Sequence, residues 1–160
     1  MRIQKGELIL DRGERTIRPD IFCRMEGDPK PHLLARECRD CGDVSFPPFR
    51  YCLKCSSNEE TAEKVLNNEG VLASYTIARQ VIPGFNPDYI LANVRMKDDP
   101  SLVLVAQLTD VKTEDVAIGM KLTMVPKIIK MLMNGEKVVS YCFRPKDSVK
   151  VTPGEGGQTE

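Results

Sequence analysis

The sequence predicts a mainly β protein: a short N-terminal helix, a small metal-stapled ribbon, then a five-stranded barrel of the OB type. Three observations carry this. Four cysteines fall in two CxxC pairs, Cys38/Cys41 and Cys52/Cys55, with ten residues between the pairs. From Gly70 onward five short segments show the apolar–polar alternation and β-branched content of half-buried strands. After the third of them lies a stretch able to make one helical turn, as in a partly open Greek-key OB barrel.

The elements follow in order. Residues 1–37 form a lead-in, in which Ile21, Phe22 and Met25 predict a short helix ended by Gly27, Pro29 and Pro31. Residues 38–69 comprise the cysteine ribbon, with its aromatic and proline bridge Phe46-Pro47-Pro48-Phe49-Arg50-Tyr51, and a polar connector, SNEETAEKVLNNE. Residues 70–146 hold the barrel strands: GVLASYTIARQVI, YILANVRMK, LVLVAQLTD, MKLTMVPKII and VVSYCFRP. Turn signals separate them at Pro83-Gly84, at Asp98-Asp99-Pro100 and at Asn134-Gly135. KTEDVAIG supplies the helical turn, closed by Gly119. Residues 147–160, rich in glycine and polar side chains, predict a flexible tail.

Two CxxC turns can surround one ion with four thiolates, so Cys38, Cys41, Cys52 and Cys55 are the predicted metal ligands. Four thiolates close the coordination shell, whereas a catalytic zinc keeps a position open, so the ion is expected to be structural. Zinc and iron both suit four sulfurs, and iron would make the chain an electron carrier. The remaining thiols, Cys23 and Cys142, lie in apolar surroundings and read as buried and inert. His32, the sole histidine, reads as a surface residue rather than a ligand.

The rest of the chain narrows the function. Lys plus Arg and Asp plus Glu both number 23, so there is no basic excess for phosphate-backbone contacts. No apolar run is long enough for a membrane helix, and MRIQKGELILDRGER lacks an apolar signal core, so a cytoplasmic chain is expected. One histidine leaves little room for a Ser–His or Cys–His nucleophile, and no phosphate-binding glycine loop occurs. The paired carboxylates, such as Glu59-Glu60 and Asp98-Asp99, stand in polar loops. The loop IPGFNPDYI joins the first two barrel strands, where OB barrels often bind ligands, and carries Phe85 and Tyr89. It reads either as a rigid hairpin tip or as a contact surface. PKIIKMLMNG, with Lys127 and Lys130, reads either as a buried strand edge or as an adaptable protein-binding surface.

These motifs, taken together, resemble the DUF35 family of zinc ribbon plus OB-fold proteins, over residues 20–146. CRDCG matches its C-x-x-C-G, FPPF stands for its F-P-P-R, and CLKC gives its second C-x-x-C. EGVLASYT, IGMKLTMV and CFRP match its later strand motifs in the same order. Phe49 stands where Arg is common, with Arg50 one place later. The resemblance implies a rubredoxin-like zinc ribbon and a subunit that is not catalytic alone. Such subunits belong to thiolase-type acyltransferase complexes, for example the small subunit of benzoylsuccinyl-CoA thiolase. It implies a thiolase-fold partner that supplies the catalytic cysteine and oxyanion hole, and a shared coenzyme A or acyl-CoA channel. On that reading Phe22, Phe85 and Tyr89 are candidates for the interface or the channel mouth, and Arg79, Lys127 and Lys130 for the CoA phosphates. The alternative from another class is a single-stranded nucleic-acid-binding ribbon and OB module.

Overall fold

The strands expected from alternation close on themselves. In the computed structural model, which describes residues 3–5, 10–80, 83–85 and 88–146, eleven strands build two sheets. The lead-in and ribbon contribute β1 (Ile3–Lys5), β2 (Glu14–Thr16), β3 (Phe22–Met25), β4 (Pro31–Glu37), β5 (Val44–Ser45) and β6 (Ala62–Val65). The barrel consists of β7 (Glu69–Ala78), β8 (Tyr89–Met96), β9 (Val103–Leu108), β10 (Lys121–Met131) and β11 (Lys137–Pro145).

β7, β8 and β9 form an antiparallel meander. A 3-10 turn at Thr113–Asp115 follows β9, as KTEDVAIG suggested, and Gly119 takes a left-handed φ of 90° where that connection turns into β10. β10 then pairs with both β7 and β11, and β11 meets β9 in parallel, which completes a closed five-stranded barrel. The alternation has its physical cause in the register. On β8, Ile90, Ala92, Val94 and Met96 all point inward, and on β9 Leu104, Ala106 and Leu108 do the same. Phe143 and Leu122, both fully buried, fill the middle.

The second sheet is organised by β4, which pairs with β3, β5 and β6. Here the sequence reading is corrected twice. Residues 22–25 form a strand, not a helix. Ile21, Phe22 and Cys23 are all at most 1% exposed, so this strand is covered on both faces and lacks the polar alternation that marks one. Their apolar spacing imitates a helix, but the turn at Gly27 (φ 84°) folds the segment into a hairpin with β4. Within the polar connector, β6 pairs along β4 from Leu34↔Val65 to Glu37↔Ala62. The two sheets share one hydrophobic core, in which Phe22, Leu33, Val44 and Leu66 join the inward residues of the barrel. The predicted tail, 147–160, lies outside the described residues. Among the described residues, no helix is long and apolar enough to cross a membrane.

Candidate functional site

The cysteine cluster is built by the end of β4 and two tight turns. Cys38 ends the ladder, and its backbone N–H donates to the Asp43 carbonyl at 2.9 Å. The Gly42 N–H donates to the Cys38 carbonyl at 3.0 Å, and the turn needs the φ of 70° that Gly42 adopts. β5 and the bridge then carry the chain back to Cys52, with a cis peptide between Phe46 and Pro47. Thr61, 4% exposed, holds the bridge from behind: its hydroxyl donates to the Phe49 carbonyl at 2.5 Å and its N–H to the Arg50 carbonyl at 2.9 Å.

All four Sγ atoms lie within 4.8 Å of one another. Cys38 and Cys55 are 3.7 Å apart and Cys41 and Cys52 are 3.6 Å apart at sulfur. A tetrahedron with metal–sulfur bonds of ~2.3 Å has sulfur edges of about 3.8 Å, so the four residues fit one tetrahedral ion. The electrostatics agree. The backbone N–H groups of Cys55 and Lys54 draw the Cys52 thiol down to about 7. Cys55 receives the Ser57 N–H but is nonetheless pushed up to about 12 by desolvation and by the three neighbouring thiols. Four thiolates packed this closely need a cation between them to ionise together.

The leftover cysteines behave as expected. Cys23 and Cys142 are buried, and burial pushes both thiols up to about 11. His32 is more covered than a surface residue, with only 18% of its side chain exposed; it is hydrogen-bonded through Nε2 to Asp28 at 2.9 Å and stands apart from the four-cysteine group.

A second feature lies at one end of the barrel. Phe85, Tyr89, Gln107, Thr109, Lys127 and Cys142 line a groove of about 230 Å³. The Phe85 and Tyr89 rings stand 5.7 Å apart, and the Lys130 ammonium lies over Phe85, 5.2 Å from its centroid. The fold thus brings together four residues that the sequence placed on two separate segments. Lys127 is 3.5 Å from Asp110. Arg79 is exposed and follows Ala78, the register partner of Tyr89, at the same end of the hairpin. Phe22 does not join them. It is 1% exposed within the shared core, which leaves it no surface to offer a partner.

Sequence reasoning missed Gln107, Thr109 and Cys142 as groove residues, since only the β9–β11 pairing puts them there. Gly84 reads in the sequence only as a turn signal; its carbonyl accepts the Met131 N–H at 3.0 Å, next to Phe85.

Comparison with known proteins agrees with this architecture. A family model described as the ChsH2 rubredoxin-like zinc ribbon domain matches residues 25–60, and one described as the ChsH2 C-terminal OB-fold domain matches residues 63–126. A DUF35 domain-containing scaffold protein of Pyrococcus furiosus is 33% identical over 119 residues, 72% of this chain and 85% of that one. The chain belongs to the DUF35 family. A second DUF35 scaffold protein, from Methanocaldococcus jannaschii, is 30% identical over 116 residues, 71% of this chain and 80% of the relative. Among solved structures, the DUF35 fold matches a chain titled Ltp2-ChsH2(DUF35) aldolase, with a TM-score of 0.57 at 23% identity, over 71% of this chain and 84% of that one. In DUF35 terms the four cysteines lie in the zinc ribbon, positioned to bind a metal, and the groove sits on the OB-fold barrel.

Proposed function

We propose that this protein is a non-catalytic scaffold subunit that joins a thiolase-fold catalytic partner and lines part of its CoA or acyl-CoA channel. The observation that carries the reading is the groove, where two aromatic rings and two lysines from separate hairpins converge. Supporting it, the relatives are named scaffold proteins, and the solved structure that shares the fold is titled as an aldolase of two named components. Phe85 and Tyr89 offer flat apolar faces to an adenine or a pantetheine arm. Lys127, Lys130 and Arg79 offer charge to the CoA phosphates. The ribbon holds a structural zinc through Cys38, Cys41, Cys52 and Cys55, and the ion substitutes for a core that so short a segment does not supply. The partner provides the reacting groups.

The test is a titration of CoA and, separately, of a single-stranded oligonucleotide over a salt series, on the complex isolated from its native source. Saturable CoA binding that weakens with Lys127→Ala supports the reading. Tight, salt-sensitive oligonucleotide binding with no response to CoA would replace it with the nucleic-acid module.

A further inference from the structure

The barrel seams are unequal. β10 and β11 pair along nearly their whole length, and β7 pairs with β8 from Gly70↔Met96 to Ala78↔Tyr89. β9 and β11 share only the parallel pairs Cys142↔Gln107 and Phe143↔Leu108, extended by the Thr109 N–H donating to the Phe143 carbonyl at 2.8 Å. Beyond that point, the Tyr141 hydroxyl donates to the Val105 carbonyl at 3.0 Å, a side-chain bond where a ladder bond would otherwise lie. The Tyr141 ring is itself held by Phe46, edge to face, with centroids 5.2 Å apart and planes at 86°. Phe46 directly follows β5 and lies between the two CxxC pairs, so its position is set by the folded ribbon. The groove straddles this same seam, with Gln107, Leu108 and Thr109 on one side and Cys142 on the other.

We propose that Phe46 and Tyr141 couple the ribbon to the β9–β11 seam, so that a metal-loaded, ordered ribbon holds the barrel closed and sets the width of the groove. The path is short and physically continuous: ribbon turn, Phe46 ring, Tyr141 ring, Val105 carbonyl, seam. A seam with so few ladder bonds opens before its longer neighbours do, because local opening follows the number of bonds broken. Loss of ribbon order removes the edge contact on Tyr141 and loosens the seam while β7 and β8 stay paired. The coupling is read at backbone amides and stands or falls independently of what the groove binds.

The experiment is hydrogen exchange on the full chain in four forms: zinc-loaded, zinc-stripped, and zinc-loaded Phe46→Leu and Tyr141→Phe. With zinc retained at one per chain, Phe46→Leu is expected to speed exchange at 107–109 and 141–143 by roughly two- to tenfold, the size of one edge-to-face contact. The β7–β8 amides are expected to keep their protection, and the stripped chain to show the same seam signature plus exposed ribbon amides. Tyr141→Phe keeps the ring and drops only the bond to Val105. It is expected to speed the seam as well, and it decides between the outcomes if Phe46→Leu does not fold. Unchanged seam exchange in the zinc-loaded variants would overturn the proposal, and so would an equal rise across β7 and β8, which would mean general destabilisation.

Discussion

The backbone N–H of Met131 donates to the carbonyl of Gly84 at 3.0 Å, which pins the loop after β7 to the far end of β10. Gly84 has a φ of 88°, and a Cβ there would lie 2.5 Å from the Met131 carbonyl oxygen. This contact brings Phe85 under Lys130 and so assembles the groove. Gly84→Ala should cost about 1–3 kcal/mol in strain. It should also move Phe85, and weaken binding at the groove more than thermal stability; paired melting and CoA titrations check this.

Removing single groove contacts should act on binding alone. Lys127→Ala and Lys130→Ala are each expected to weaken CoA binding by about tenfold, the size of one charge-assisted hydrogen bond. Both side chains sit at the surface end of the barrel, so the melting temperature should stay within a degree or two by the usual small cost of surface substitutions. A titration of the complex with each variant decides it.

Phe22→Ala should behave in the opposite way. Phe22 is buried in the core that joins ribbon and barrel, so truncation should cost about 3–5 kcal/mol. Complex formation at a temperature where the variant is folded should be unaffected. Denaturant melts, with partner binding measured at low temperature, test both halves.

That contrast shows what the sequence could disclose. β8 and β9 were legible because each is wet on one face, so their alternation reports the pleat directly. β11, buried at Val138, Val139 and Ser140 in succession, was legible instead from its apolar, β-branched content. The cysteine site was legible because its ligands come as two local turns. β3 reads as a helix because Ile21, Phe22 and Met25 are spaced like one helical face, while burial of Ile21, Phe22 and Cys23 in succession removes the polar alternation that would mark a strand. β6 reads as connector because Glu63 and Lys64 give it the composition of a loop. The groove and the β9–β11 seam depend on pairings more than thirty residues apart, such as Cys142↔Gln107, and no local pattern encodes those.

Acid should strip the ribbon. Binding requires four thiolates, and the Cys52 thiol sits at about 7 while Cys55 is held up at about 12, so metal uptake must release protons. Affinity is therefore expected to fall as pH drops, and Cys52→Ser to reduce zinc below one per chain. Metal analysis across a pH series, with calorimetry in buffers of different ionisation enthalpy, reads both effects.

Glu69 carries a separate acid dependence. Lys146 at 2.6 Å and Lys97 at 2.7 Å hold its carboxyl at about 2, below the ordinary 4.5. A depressed carboxylate stabilises the folded state above its ordinary value and loses that contribution as pH falls from 4.5 through 2. Melting curves should therefore show Glu69→Gln less stable than the parent at pH 6, with the difference closing towards pH 2.

The scaffold reading is tested most directly by gentle purification from the native source, with mass analysis of what elutes together. A thiolase-fold subunit in fixed stoichiometry with this chain is the predicted result, and CoA-thioester turnover by that complex would follow. A chain that elutes alone, or with nucleic acid, would contradict it.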